Sequence, residues 1–161
     1  MIKAIHPSPI GPLTIVSDGG ALTALVFDNH LKDIAPVAAA VKGEDELTQA
    51  ARTQLDEYFA GARAAFDLPL APIGPPFRQR VWAQLTKLRF GETISYSGIA
   101  ASLKNSAPRA VGGAVGANPI SIIIPCHRVV GKDGSLTGFA GGLERKQFLL
   151  ALEQGHARLA S

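Results

Sequence analysis

The stretch Ile122-Ile123-Ile124-Pro125-Cys126-His127-Arg128-Val129-Val130 constrains the chain more than any other. Three consecutive isoleucines call for burial. Pro125, with a fixed φ and no N–H, ends any backbone ladder at that point. Cys126 follows it and is the only cysteine among 161 residues, which rules out an intrachain disulfide and a multi-cysteine zinc site. The sulfur is thus set at the end of a core segment, with an imidazole and a guanidinium next in sequence. A lone cysteine is commonly a small buried hydrophobe. Thiolate chemistry needs a base or a positive charge nearby, which His127 or Arg128 supplies only if the fold turns it the right way. Adjacency alone leaves both readings open.

Charge divides the chain. Residues 1–76 carry five Lys/Arg against nine Asp/Glu, a net of −4, whereas residues 77–161 carry eleven against four, a net of +7. A basic second half points to a polyanionic partner, with a merely solvated basic face as the alternative. The sign changes across Ala71-Pro72-Ile73-Gly74-Pro75-Pro76, a linker by composition. The expected organisation is therefore a scaffold over 1–70, a linker over 71–76 and a second domain over 77–161. Hydrophobic residues make up 47% of the chain, enough for a core, yet no apolar run has the length of a membrane span. The start, Met1 to Pro7, lacks the apolar centre of a secretory signal. With one cysteine, these features lead to the expectation of a cytoplasmic protein.

Periodicity predicts strands over 2–6 and 12–17, the Asp18-Gly19-Gly20 turn, and a further strand from Ala21 to Phe27. Residues 28–44 read as loop with room for a short helix. Leu47, Ala51, Leu55 and Tyr58 or Phe59 share one face of a helix from Glu46 to Ala60, with Gly61 at its stop. Alternation predicts a strand over 63–70. His6 and His30 are expected at the surface, and this half shows no chemistry of its own. Past the linker, Phe77 to Leu88 reads as a helix. Ser97 is a candidate cap for a short helix through Leu103, and Pro108 suits the first turn of a helix ending at Gly116. The tight turn between them makes a helix-turn-helix. Ile120 to Pro125 is expected to cross the core. Val129 to Thr137 should form a hairpin, the wing of a winged helix. Leu143 to Gln154 should be a last helix with Phe148, Leu149 and Leu152 inward.

Pro125-Cys126-His127-Arg128-Val129 resembles the active-site signature of the O6-alkylguanine-DNA alkyltransferases, also called methylated-DNA–protein-cysteine methyltransferases. Gly138-Phe139-Ala140-Gly141-Gly142-Leu143 resembles that family's second signature. Gly91 to Tyr96, Arg109-Ala110-Val111-Gly112 and Ser8 to Leu13 match in the same order, so the resemblance spans nearly the whole chain. It implies an α/β (α+β) protein of two domains: an amino-terminal, ribonuclease H-like α/β domain with an antiparallel sheet, and a carboxy-terminal winged helix-turn-helix domain. It further implies a suicidal DNA-repair reaction, in which the alkyl group of O6-alkylguanine, or of O4-alkylthymine, passes from a flipped-out base to Cys126. The expected partner is double-stranded DNA carrying such a base, bound by a monomer that is open to cooperativity. No metal or organic cofactor is expected.

The resemblance also assigns roles. Cys126 is the nucleophile, His127 its base through a water, and Glu153 the carboxylate that orients the imidazole. Spacing alone would leave Glu153 an exposed helix residue. Tyr96 is expected to donate to guanine N3, and Asn118 to brace the active-site turn. Arg109 is the finger that takes the flipped base's place through the minor groove, with small Ala110 allowing close approach. Arg78, Ser97, Asn105 and Lys132 are expected phosphate contacts, each with solvated surface as its alternative, and Arg128 is counted with the DNA-binding cations. Val129, Phe139, Ala140 and Gly141 are the expected pocket residues. Two positions depart from common family patterns: Phe139 stands where tyrosine is frequent, and Ala140 where serine or glycine occurs. A non-catalytic lesion-binding module would replace the cysteine. A Cys-His hydrolase would have no use for Arg109 or the basic half.

Overall fold

The computed structural model describes residues 1–104 and 107–155. Strands β1 (Ile2–His6), β2 (Leu13–Ser17) and β3 (Leu22–Phe27) form an antiparallel meander. A short β4 (Val41–Lys42) pairs in parallel with β1, giving the order β3-β2-β1-β4. The sheet is thus mixed at one edge rather than wholly antiparallel. Every residue of β2 and β3 is buried, because both faces are covered. Leu13, Ile15, Leu25 and Phe27 meet the main core with Ala51, Leu55 and Tyr58 of helix α2 (Glu46–Phe59). Val16, Ala24 and Val26 point the other way, onto Ile34, Val37 and Ala40. That second cover comes from residues 28–44, which hold a 3₁₀ turn (Asp28–Asp33), helix α1 (Ala35–Ala39) and β4, more structure than the loop expected.

Helix α2 starts at a capping box. The Asp45 carboxylate accepts from the Thr48 N–H at 2.8 Å, and the Thr48 hydroxyl accepts from the Asp45 N–H at 2.9 Å. The helix stops before Gly61, whose φ of +76° suits a residue without Cβ. Residues 63–70 are not a strand. Phe66, Leu68 and Leu70 pack against the core as alternation requires, but Pro69 has no N–H to give, and only Leu70 bridges the sheet, at Leu22. His6 and His30 are buried, not at the surface: His6 joins β1 to α2 through Asp56 at 2.7 Å and Arg52 at 3.0 Å.

Beyond the linker lie α3 (Pro76–Leu85), α4 (Tyr96–Ser102), α5 (Pro108–Gly116) and α6 (Leu143–Gly155). The Trp82 indole donates to the Ala114 carbonyl at 2.9 Å, fastening α3 to α5. Packed together, α4 and α5 are the expected helix pair. The cap of α4 is Ser95, which accepts from the Gly98 N–H at 3.0 Å, and not Ser97. In place of a wing hairpin, β6 (Val129–Val130) pairs in parallel with β5 (Ile94–Ser95). Residues 131–135 close a turn, with Gly131 N–H donating to Ser135 O at 2.8 Å, and no return strand follows. On α6, Lys146, Leu149 and Glu153 face inward, whereas Phe148 is exposed. No helix among the described residues is long and apolar enough to cross a membrane.

Candidate active site and nucleic-acid interface

The reactive segment is pinned to the amino-terminal sheet. Leu25 of β3 donates to Pro119 O at 2.9 Å and accepts from the Ser121 N–H at 2.8 Å. From there the chain passes through the core, as expected, by tight turns that bury Ile120, Ile122 and Ile124. Ile122 adopts φ +72°, an unfavourable conformation for a β-branched residue that only a well-held turn maintains. Asn118 does much of the holding: its Nδ2 donates to Ile124 O at 2.8 Å and its Oδ1 accepts from the Ile120 N–H at 3.0 Å. Its side chain also acts on Cys126, pulling the thiol pKa down. Cys126, His127 and Arg128 then form a 3₁₀ turn that leads directly into β6.

Cys126 is 3% exposed, His127 fully buried and Glu153 1% exposed. His127 Nε2 lies 2.6 Å from Glu153 Oε2. Arg128 Nε donates to Oε1 at 2.7 Å and its Nη2 to Oε2 at 3.1 Å. The Tyr58 hydroxyl adds a third donor, to Oε2 at 2.6 Å, reaching across from α2 of the amino-terminal domain. Burial by itself would raise the Glu153 pKa. Hydrogen bonding and charge from His127 and Arg128 outweigh it and hold the group down to about 2. Burial acts on His127 in the other direction, lowering its pKa against the pull of Glu153. The resting imidazole is therefore neutral beside an ionised carboxylate that Arg128 also pairs with. A carboxylate only accepts, so Nε2 carries the ring proton and Nδ1 carries the free lone pair. Nδ1 is buried, with no protein partner among the described residues.

Burial also pushes the Cys126 thiol up to about 11, against the Asn118 hydrogen bond and the charge of Lys146. Lys146 is a fully buried lysine that donates to Val129 O at 2.6 Å and Thr137 O at 2.9 Å. Burial lowers its pKa, and Cys126 opposes that shift. The resting sulfur is thus a thiol that needs a proton acceptor before it can attack, with a lone pair on the adjacent residue and the charge of Lys146 favouring its thiolate.

The β5–β6 pairing puts Ser95 opposite Val130, so Tyr96 emerges beside the reactive turn. Its ring lies against Gly112 of α5, where a Cβ would sit 3.8 Å from Tyr96 Cδ1. The Thr137 hydroxyl donates to the Tyr96 hydroxyl at 3.1 Å. Val129 is buried, and Phe139 packs edge-on against Phe27 with ring centroids 5.9 Å apart. Among the described residues the Ala140 N–H has no acceptor, while the Ala140 carbonyl takes a bond from Asn29 Nδ2 at 3.0 Å. A cavity of about 510 Å³ is lined by residues that include Phe66, Leu88, Ile122, Pro125 and Arg128, and it reaches none of Cys126, Tyr96 or Phe139. It backs the turn and is not the place for a base.

Arg109 and Ala110 are exposed at the start of α5, and Arg78, Ser97 and Lys132 are exposed as well. Asn105 lies outside the described residues. Arg128 requires correction: it is 6% exposed and committed to Glu153 and to Leu88 O at 2.8 Å, so its cation serves the relay and not DNA. Sequence reasoning missed Tyr58, Lys146 and Thr137. Lys146, Leu149 and Glu153 fall on one helical face, a spacing that can mark Lys146 as inward. Tyr58 shares the inward stripe of Ala51 and Leu55, but nothing in that stripe shows that its hydroxyl meets Glu153.

A sheet domain joined to a helical domain, with a buried cysteine next in sequence to a buried His127–Glu153 pair and an exposed arginine at the start of α5, defines a DNA-binding protein built to use one cysteine. Residues 1–72 match the family model of the 6-O-methylguanine DNA methyltransferase ribonuclease-like domain, and residues 76–155 match that of its DNA-binding domain. The chain is 48% identical to a methylated-DNA–protein-cysteine methyltransferase of Haemophilus influenzae, over 92% of this chain and 84% of the relative. It is 46% identical to the one of Methanosarcina acetivorans, over 95% and 98%. Its fold matches Mycobacterium tuberculosis O6-methylguanine methyltransferase with a TM-score of 0.85 at 42% identity, covering 96% of this chain and 93% of that one. It matches the same organism's OGT in complex with DNA with a TM-score of 0.88 at 41% identity, covering 97% and 94%. The chain belongs to the 6-O-methylguanine DNA methyltransferase family.

Proposed function

We propose that this protein repairs duplex DNA by moving the alkyl group of O6-alkylguanine, and of O4-alkylthymine, onto Cys126 and keeping it there. The observation that carries this reading is the relay itself: a buried thiol next in sequence to an imidazole whose other nitrogen is fixed by an ionised carboxylate. The thiol proton is relayed to His127 Nδ1, and Glu153 stabilises the resulting imidazolium. The sulfur then attacks the alkyl carbon. The S–C bond forms as the C–O6 bond breaks, and the electron pair goes to the guanine, whose developing charge is met by hydrogen-bond donors. The Ala140 N–H serves O6, as backbone donors serve oxyanions. The Tyr96 hydroxyl serves N3. A thioether has no leaving path under these conditions, so each molecule acts once.

Arg109, exposed at the helix start, fills the stack after the base leaves, and Ala110 lets α5 approach the groove. Arg78, Ser97 and Lys132 hold phosphates. The proposed division of labour follows 1–70, 71–76 and 77–161, and the protein acts as a cytoplasmic monomer. The test is incubation with one equivalent of O6-methylguanine duplex followed by intact-mass and peptide analysis. One added methyl on Cys126 without turnover is expected. Repeated turnover, or a methyl on another residue, would overturn the reading.

A further inference from the structure

The loop that carries Phe139 and Ala140 is tied to the other domain by side chains from both sides of the junction, Arg145 first among them. Arg145, at the start of α6, donates from Nε to Ile10 O at 2.8 Å and from Nη2 to Asp28 Oδ1 at 2.9 Å. Its Nη1 reaches Asn29 Oδ1 at 3.2 Å and Gly141 O at 3.4 Å. The guanidinium carbon also stands 4.7 Å from the centroid of the Phe27 ring. Asn29 answers with its own amide, which donates to Ala140 O. The fit is close: a Cβ on Gly141 would come within 2.6 Å of the Phe27 ring, and one on Gly11 within 2.7 Å of Arg145 Nη2.

We propose that Arg145 and Asn29 form an interdomain latch through which the amino-terminal sheet sets the position of the Phe139–Gly141 loop, and so the width of the alkyl pocket. Both are positioning residues, since neither reaches the reacting atoms. Arg145 acts through Gly141 O and Phe27, and Asn29 acts through Ala140 O. With the latch closed, Phe139 is held against Phe27 and the Ala140 N–H is aimed at a fixed point, which favours a small alkyl group. With the latch open, the aromatic wall can retreat, which costs the methyl substrate its preorganised donor and admits bulkier groups more readily. Loss of one or two hydrogen bonds of this kind is worth several-fold in rate.

This inference rests on the proposed alkyl transfer. Arg145→Met and Asn29→Ala would be compared with the parent for single-turnover rates on duplexes carrying O6-methylguanine and O6-benzylguanine. The ratio of methyl to benzyl rates is expected to fall by roughly tenfold for Arg145→Met and roughly threefold for Asn29→Ala. A ratio unchanged in both variants overturns the latch, whether or not both rates decline, because a merely structural defect lowers the two together. Asn29 is exposed, so its variant carries the test if Arg145→Met does not fold. Methylation of the parent on Cys126 is the separate control: if that fails, the functional reading falls, and if it succeeds with an unmoved ratio, only the latch falls.

Discussion

Glu153→Gln strikes the relay where most of it converges. The carboxylate takes bonds from His127, Arg128 and Tyr58 while almost wholly buried. Proton transfer from Cys126 to His127 creates an imidazolium beside it. With charge centres about 4 Å apart and an effective dielectric constant of about 20, that attraction is worth ~4 kcal/mol. Glutamine removes it and leaves the repulsion from Arg128. Allowing for relaxation, the methylation rate should fall roughly 100- to 1,000-fold. The apparent pKa of the thiol should rise, and affinity for unmodified duplex should stay near that of the parent, since the residue is buried. A second effect follows from the same charge. The folded Glu153 pKa is depressed from 4.5 to about 2, so its stabilisation is present above pH 4.5 and lost as pH falls toward 2. That contribution is about 3 kcal/mol, and the glutamine variant should lack this part of the acid transition. At neutral pH the variant should also be less stable, because Arg128 is left as an uncompensated buried charge, at a cost of about 3–5 kcal/mol. The assays are intact-mass kinetics across pH 5–10 and urea melts at several pH values. A folded variant whose pH–rate profile matched the parent's would refute the relay.

Three further outcomes are expected. Arg109→Ala should slow repair in duplex DNA by roughly a hundredfold while barely changing reaction with free O6-benzylguanine, because only duplex substrate needs the stack filled; equal losses on both would sink the finger role. Ala140→Ser should be mild, whereas Ala140→Pro, which deletes the N–H, should cost on the order of 3 kcal/mol in single-turnover rate; near-parental alkylation by a folded, DNA-binding proline variant would place the donor elsewhere. Tyr58→Phe keeps the ring among Phe59, Phe66 and Phe90 but removes a buried donor to a carboxylate, so urea denaturation should show a loss of about 1–3 kcal/mol; an unchanged midpoint would mean the bond contributes nothing.

Much of this protein was legible in its sequence, for local reasons. Strands β1 to β3 follow from alternation and a Gly-Gly turn, α2 from a 3.6-residue stripe with a stop glycine, and α5 from Pro108 and Gly116 at its two ends. Cys126 and His127 stood out because an apolar run, a proline and a lone cysteine are contiguous. The errors share one cause. Residues 63–70 alternate like a strand, yet with Pro69 in the segment they meet the sheet only through Leu22. Val129 and Val130 looked like one arm of a hairpin, yet their partner is β5, more than thirty residues earlier. Arg128 looked like a DNA contact by charge alone, yet burial and a carboxylate on α6 claim it. Pattern reports which face of a segment is apolar, but not which distant segment covers that face. Tyr58 meets Glu153 across 95 residues, Arg145 meets Asp28 across 117, and Lys146 reaches Val129 O across 17. Local sequence therefore determined the elements and the nucleophile, whereas the charges around that nucleophile were decided only by tertiary contact, because α6 brings Glu153 to His127 and Arg128, and α2 of the other domain adds Tyr58.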